Sequence, residues 1–122
     1  MARARIPDIA GRDAVAAWAS EGAEAPREVR ALAVRYTLQL LAEIAPGGTV
    51  EVRVPPFGAV QCVEGPRHTR GTPPNVVETD AETWLGLATG RLAWGDARDG
   101  GRVHASGQRA DLAGLVPVID VR

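Results

Sequence analysis

The chain has no lysine, one cysteine and two histidines among its 122 residues. A single cysteine, Cys62, excludes an internal disulfide, so nothing in the sequence requires an oxidising compartment. His68 and His104 lie far apart, and neither paired cysteines nor an H-E-x-x-H segment occurs. We therefore predict no metal site and no cofactor.

The balance of charge excludes a second class of function. All 14 basic residues are arginine, they are interspersed with acids, and the formal net charge is -1. That distribution lacks the basic patch of a nucleic-acid-binding protein. No apolar run is long enough to span a bilayer. The two arginines within residues 1–5 are not followed by the apolar stretch of a secretory signal. We expect a cytoplasmic protein with no transmembrane segment and no nucleic-acid partner.

Hydrophobic periodicity predicts two helices in the first half of the chain. One covers residues 11–20, and the other follows Pro26 and continues to Ile44. The second is amphipathic, and its polar side carries Arg30, Arg35, Gln39 and Glu43. Residues 1–11 are expected to form a loose arm, residues 12–116 one domain, and residues 117–122 a tail.

From residue 49 the apolar period changes to two, which is typical of half-buried strands. Thr79 with Glu82 has the spacing of a capping box, and Gly90 suits the end of the helix that it opens. The expected elements are strands over 49–54, 59–64, 75–78 and 101–107, a short helix over 92–97, and a helical turn over 111–116. In the last strand, Val103 and Ala105 are expected to face inward. This order predicts an α+β fold, a mostly antiparallel sheet of four to five strands with helices packed on one face.

Signatures of catalysis are absent, so we predict no catalytic residue. Arg67, His68 and Arg70 form a concentrated polar cluster that either grips an anionic head group or belongs to an ordinary solvated loop. Trp84 and Trp94 either line an apolar pocket or fill the core. We expect His104 on the solvent side of its strand and Cys62 as a small buried side chain.

Residues 75–92, with the run Leu87-Ala88-Thr89-Gly90-Arg91, resemble a hallmark of the sterol carrier protein family, and residues 101–107 resemble its final strand. The whole chain looks closest to a short actinobacterial branch of that family. A similar module is appended to mycothiol-dependent maleylpyruvate isomerases. Two differences from the lipid carriers predict a smaller cavity: a proline-rich loop stands where they have an early strand, and Pro117 cuts short the final helix.

The resemblance implies a non-catalytic carrier for a small apolar or amphiphilic molecule. Its apolar body would lie near Trp84, Leu85, Trp94 and Leu112, and an acidic head would meet Arg67 or Arg70. One alternative is an accessory module without a ligand cavity, which docks a protein partner or forms a homodimer through a sheet edge. A further alternative is an enzyme in which His68 acts as acid or base.

Overall fold

The computed structural model describes residues 4–65 and 75–121, and within them it has helices and strands in one α+β arrangement. The helices are α1 (Asp8–Glu21), α2 (Arg27–Ile44), α3 (Ala81–Thr89) and α4 (Trp94–Asp99), with a short 3₁₀ turn at Gly22–Glu24. The strands are β1 (Val50–Val54), β2 (Gly58–Cys62), β3 (Asn75–Thr79) and β4 (Val103–Ser106). The predicted fold class is confirmed.

The sheet has the strand order β2-β1-β3-β4 and is mixed. The expected hairpin is present, since β1 and β2 pair antiparallel with Val52 opposite Val60. The pair β3–β4 is antiparallel as well, whereas the two central strands, β1 and β3, run parallel. Two of these three pairings agree with the expected antiparallel sheet.

The two faces of the sheet differ in polarity. On one face Val50, Val52, Val54 and Val77 are fully buried beneath the helices. The opposite face carries a row of polar residues that are neighbours across the strands: Arg53 of β1 lies beside Glu78 of β3, and Glu78 beside His104 of β4. His104 is exposed, as expected. The core therefore lies on the helical side alone.

Helix α2 lies at the centre of the helical layer, and successive residues bury against different partners. The Tyr36 ring packs against Gly11 of α1, Thr37 meets Trp84 of α3, and Leu38 lies over Gly58 of β2. These contacts fix the rotation of α2 about its axis.

The capping box predicted at Thr79 is wrong, and the cap is the next residue. The Asp80 carboxylate accepts from the Thr83 backbone N–H at 2.8 Å, and the Thr79 hydroxyl instead donates to the Arg102 carbonyl at 2.7 Å. Glu82 accepts from the Trp18 indole N–H at 2.9 Å, which ties α3 to α1. The helix does end at Gly90, in the left-handed conformation expected of a glycine cap.

Four further features differ from expectation. Helix α1 begins at Asp8, so the expected loose arm is helical from that residue. Ala105 lies on the expected face of the sheet, opposite Val77, but it is exposed, because β4 is the outermost strand and the described helices do not cover it there. The expected tail packs on the domain, since Val118 and Ile119 donate their backbone N–H groups to the Ala88 carbonyl. The segment before it forms one turn, from Leu112 to Leu115, and no helix.

The close approach of α1 to α2 gives a test of this packing. A Cβ added at Gly11 would overlap the Tyr36 ring, which is fully buried and cannot retreat. We expect Gly11→Ala to lower the free energy of unfolding by about 1–3 kcal/mol, as overpacked cores do. The measurement is chemical denaturation.

Gly95→Ala serves as the matched control, because no described residue lies within 4 Å of a Cβ added at this position in α4. It should leave stability unchanged or raise it by up to about 1 kcal/mol. Equal effects of the two substitutions would contradict the proposed α1–α2 contact.

Candidate ligand groove

A groove of about 590 Å³ runs between α2, β2 and the segment that precedes α1. Its lining residues are Ala4, Arg5, Ile6, Arg35, Leu38, Gln39, Ala42, Glu43, Phe57, Gly58, Ala59 and Val60. The size falls within the range of roughly 300–1,000 Å³ typical of small-molecule sites. The middle of the groove is apolar, and its ends carry charge.

Two groups of polar contacts, one made by Gln39 and one by Arg5, hold the N-terminal segment as one wall of the groove. The Gln39 side-chain amide bonds the Ile6 backbone twice, since its Oε1 accepts from the Ile6 N–H at 2.8 Å and its Nε2 donates to the Ile6 carbonyl at 3.0 Å. Arg5 donates to both carboxylate oxygens of Glu43, at 2.6 and 2.9 Å, and to Asp8 at 3.1 Å. We call residues 4–6 the strap.

Arg5 also helps to lower the pKa values of the two acids with which it pairs. Its hydrogen bonds lower the pKa of Glu43. The pKa of Asp8 is lowered first by the hydrogen bond from the Tyr36 hydroxyl, at 2.7 Å, and then by Arg5. The charge of Arg5 is thus balanced by two acids at its end of the groove.

Arg35 lies at the other end of the groove and has no such balance. Its Nε donates to the Phe57 carbonyl at 2.8 Å, and within residues 4–65 and 75–121 it forms no ion pair. Arg27 and Arg30 stand over the Phe57 ring, with guanidinium carbons 5.1 and 5.9 Å from its centroid. Three guanidinium groups therefore contact one residue of the lining, Phe57, although only Arg35 itself lines the groove.

The structure places the predicted apolar site residues in the core and not beside the groove. Trp84, Leu85 and Leu112 are fully buried, and Trp94 is only 7% exposed. The Trp84 indole N–H donates to the Thr37 hydroxyl at 2.8 Å. Arg67, His68 and Arg70 lie outside the described residues, so the expected head-group cluster stays a prediction.

The Cys62 thiol is not a reactive group. Cys62 is fully buried, and burial raises the pKa of its thiol to about 11, so it is an inert core side chain at neutral pH.

A second hollow, of about 440 Å³, lies over β3 and β4 beside Glu78 and His104. Across the described part of the chain, no three His, Cys, Asp or Glu residues are grouped to hold a metal ion.

Sequence reasoning missed the groove, although part of its signal was present. Arg35, Gln39 and Glu43 recur every four residues on the polar side of α2, which the sequence predicts only as one side of an amphipathic helix. That side forms one wall of the groove. The opposite wall is formed by residues far away in the chain, so no local sequence pattern indicates that a groove is present.

Comparison with known proteins establishes the family. Residues 26–118 match the family model described as a bacterial SCP ortholog, where SCP denotes sterol carrier protein. The match covers most of the chain, and the chain belongs to this sterol-carrier-like family. No curated protein matches the sequence. Among the described helices, none has the length and apolar character needed to cross a membrane.

The role of Trp84 as a core residue can be tested at its hydrogen-bond partner. Thr37→Val keeps the shape of the side chain but leaves the buried indole N–H without an acceptor. We expect the free energy of unfolding to fall by about 1–3 kcal/mol.

Thr89→Val is the matched control, because among the described residues the Thr89 hydroxyl bonds only carbonyls of its own helix, those of Leu85 and Gly86. Denaturation curves of the two variants give the comparison. A loss for Thr37→Val no larger than that for Thr89→Val would show that the indole bond contributes little.

The strap should release on acidification. Since the pKa values of Glu43 and Asp8 are lower in the folded protein, their pairing contributes stability above their ordinary pKa values. That contribution disappears as the pH falls through the lowered values, below about 4. We expect wild type to exceed Glu43→Gln in stability at pH 7 and this difference to shrink as the pH falls to 3, as measured by urea unfolding.

Glu21→Gln removes the same charge from an exposed position at the end of α1. Its difference from wild type should change little between the two pH values. If the Glu43→Gln difference is independent of pH, the Arg5–Glu43 pair does not hold the strap in solution.

Proposed function

We propose that the protein is a non-catalytic, cytoplasmic carrier that binds a small amphiphilic molecule in the groove between α2, β2 and the strap. The observation that supports this most directly is the groove itself, in a chain of the sterol-carrier-like family. Because the fold alone does not fix the function, the proposal depends on the groove and its lining.

The lining suits a ligand with one apolar and one polar part. Leu38, Ala42 and Val60 supply an apolar middle, and contact with it would remove apolar ligand surface from water. Polar groups lie at the two ends, where they can orient a ligand without interrupting the apolar contact. Small residues on both walls, Ala42 on the helix and Gly58 on the strand, leave the space free.

A second candidate is an accessory module that binds a protein partner or a second copy of the chain and holds no ligand. The filled core favours it, since Trp84, Leu85 and Leu112 leave no exposed surface where a ligand was expected. The outer strands β2 and β4 would offer edges for pairing. The experiment below separates the two candidates.

Ala42→Phe tests the groove directly by filling it from the helix side. The residue is only half-buried, so the larger ring should enter the groove and leave the core unchanged. We expect wild-type protein to take up amphiphiles from a lipid extract, and the variant to take up less by about tenfold or more. Native mass spectrometry of the protein with the bound molecule measures this.

Ala16→Phe is the control, because Ala16 is exposed on α1 and does not line the groove. It should bind like wild type, and all three proteins should melt at similar temperatures without ligand. Uptake that survives Ala42→Phe would move the site elsewhere. No uptake by wild type would favour the accessory module.

A further inference from the structure

We propose that the ligand carries an anionic head, a carboxylate or a phosphate, and that Arg35 binds it at the Phe57 end of the groove. This inference rests on the groove proposed above as the binding site. It adds the charge of the ligand and the direction in which the ligand lies.

The first argument is the unbalanced charge at that end. Arg35 is exposed, lines the groove and forms no ion pair among the residues that the structure describes. Its Nε donates to the Phe57 carbonyl, and no hydrogen bond among the described residues uses the two terminal nitrogens of its guanidinium. Such a planar fork matches the two oxygens of a carboxylate or phosphate.

The second argument is the support that Arg35 receives from its neighbours. Arg27 and Arg30 do not line the groove, but over the ring of Phe57, which does line it, they add positive charge, and neither is in an ion pair within the described residues. A cationic head there would face three like charges. A neutral head would gain little from them.

The opposite end gives the ligand its direction. Arg5 is also a cation of the groove, but Glu43 and Asp8 already neutralise it. Arg35 and Glu43 are eight positions apart on α2, about 12 Å at the usual helical rise. An anionic head therefore meets a free partner at one end only, and the apolar chain extends past Leu38 toward Ala42 and the strap.

The test compares probes that share one chain and differ in the head: decanoate, decyl phosphate, 1-decanol and the decyltrimethylammonium ion. Affinities come from isothermal titration calorimetry below the micelle concentration. We expect the two anions to bind about tenfold more tightly than the alcohol, and the cation to bind most weakly.

Variants assign that preference to Arg35. Arg35→Gln should weaken the affinity for decanoate by about tenfold and change the affinity for 1-decanol by no more than about twofold. Arg35→Lys should keep part of the preference for the anions, because it keeps the charge. Arg98→Gln is the control, since Arg98 is exposed on α4, away from the groove, and pairs with Asp99. Melting temperatures without ligand confirm that each variant is folded.

The outcomes separate this inference from the function that it builds on. Equal binding of 1-decanol and decanoate, or equal losses of both in Arg35→Gln, would overturn the anionic head and leave the groove in place. If no probe binds, the groove proposal fails and the inference with it. Arg35-dependent sedimentation with phosphatidylserine vesicles, without binding of free decanoate, would also overturn it, because the arginines would then serve a membrane surface.

Discussion

The hydrogen bond from the Trp84 indole to the Thr37 hydroxyl joins α3 to α2 inside the core, where both residues are fully buried. Leaving either group unpaired there would cost free energy, so the bond fixes which side of α2 faces α3. Tyr36 and Leu38, on either side of Thr37, then turn to α1 and β2. With three sides of α2 occupied, the stripe of Arg35, Gln39 and Glu43 has only the outer side left. The position of the groove is thus a consequence of how the core packs.

Much of the fold could be predicted because it follows from local periodicity. The apolar spacing of α2 and the valine alternation of β1 each depend on residues within one element. The errors arose where a distant group decides. Thr79 and Asp80 are both good caps, and the Arg102 carbonyl, which accepts from the Thr79 hydroxyl, leaves the cap to Asp80. Ala105 is two residues from the buried Val103 and so lies on the same face of the strand. Only the tertiary structure shows that the described helices do not cover Ala105.

The candidate site was less predictable than the fold. Tryptophan is suited to a pocket and to a core, and the sequence cannot tell which of the two surrounds Trp84. The groove depends on contacts between the strap and α2 across 33 and 38 positions of the chain. Such contacts join polar side chains that look solvated in the sequence. Family resemblance pointed to a carrier, but it placed the apolar part of the ligand near Trp84, Leu85, Trp94 and Leu112, which the structure buries in the core.

The way in which the groove is built also bears on how a carrier would work. Core side chains form its floor, and they cannot move without a large cost, since interiors are close-packed. The strap is held differently, by two ion pairs of Arg5 whose side chains are about half exposed and by one amide side chain. Exposed ion pairs contribute little to stability, so one wall can be displaced while the floor stays in place. The two walls of the groove thus differ in what holds them, close packing on the floor and exposed polar contacts at the strap.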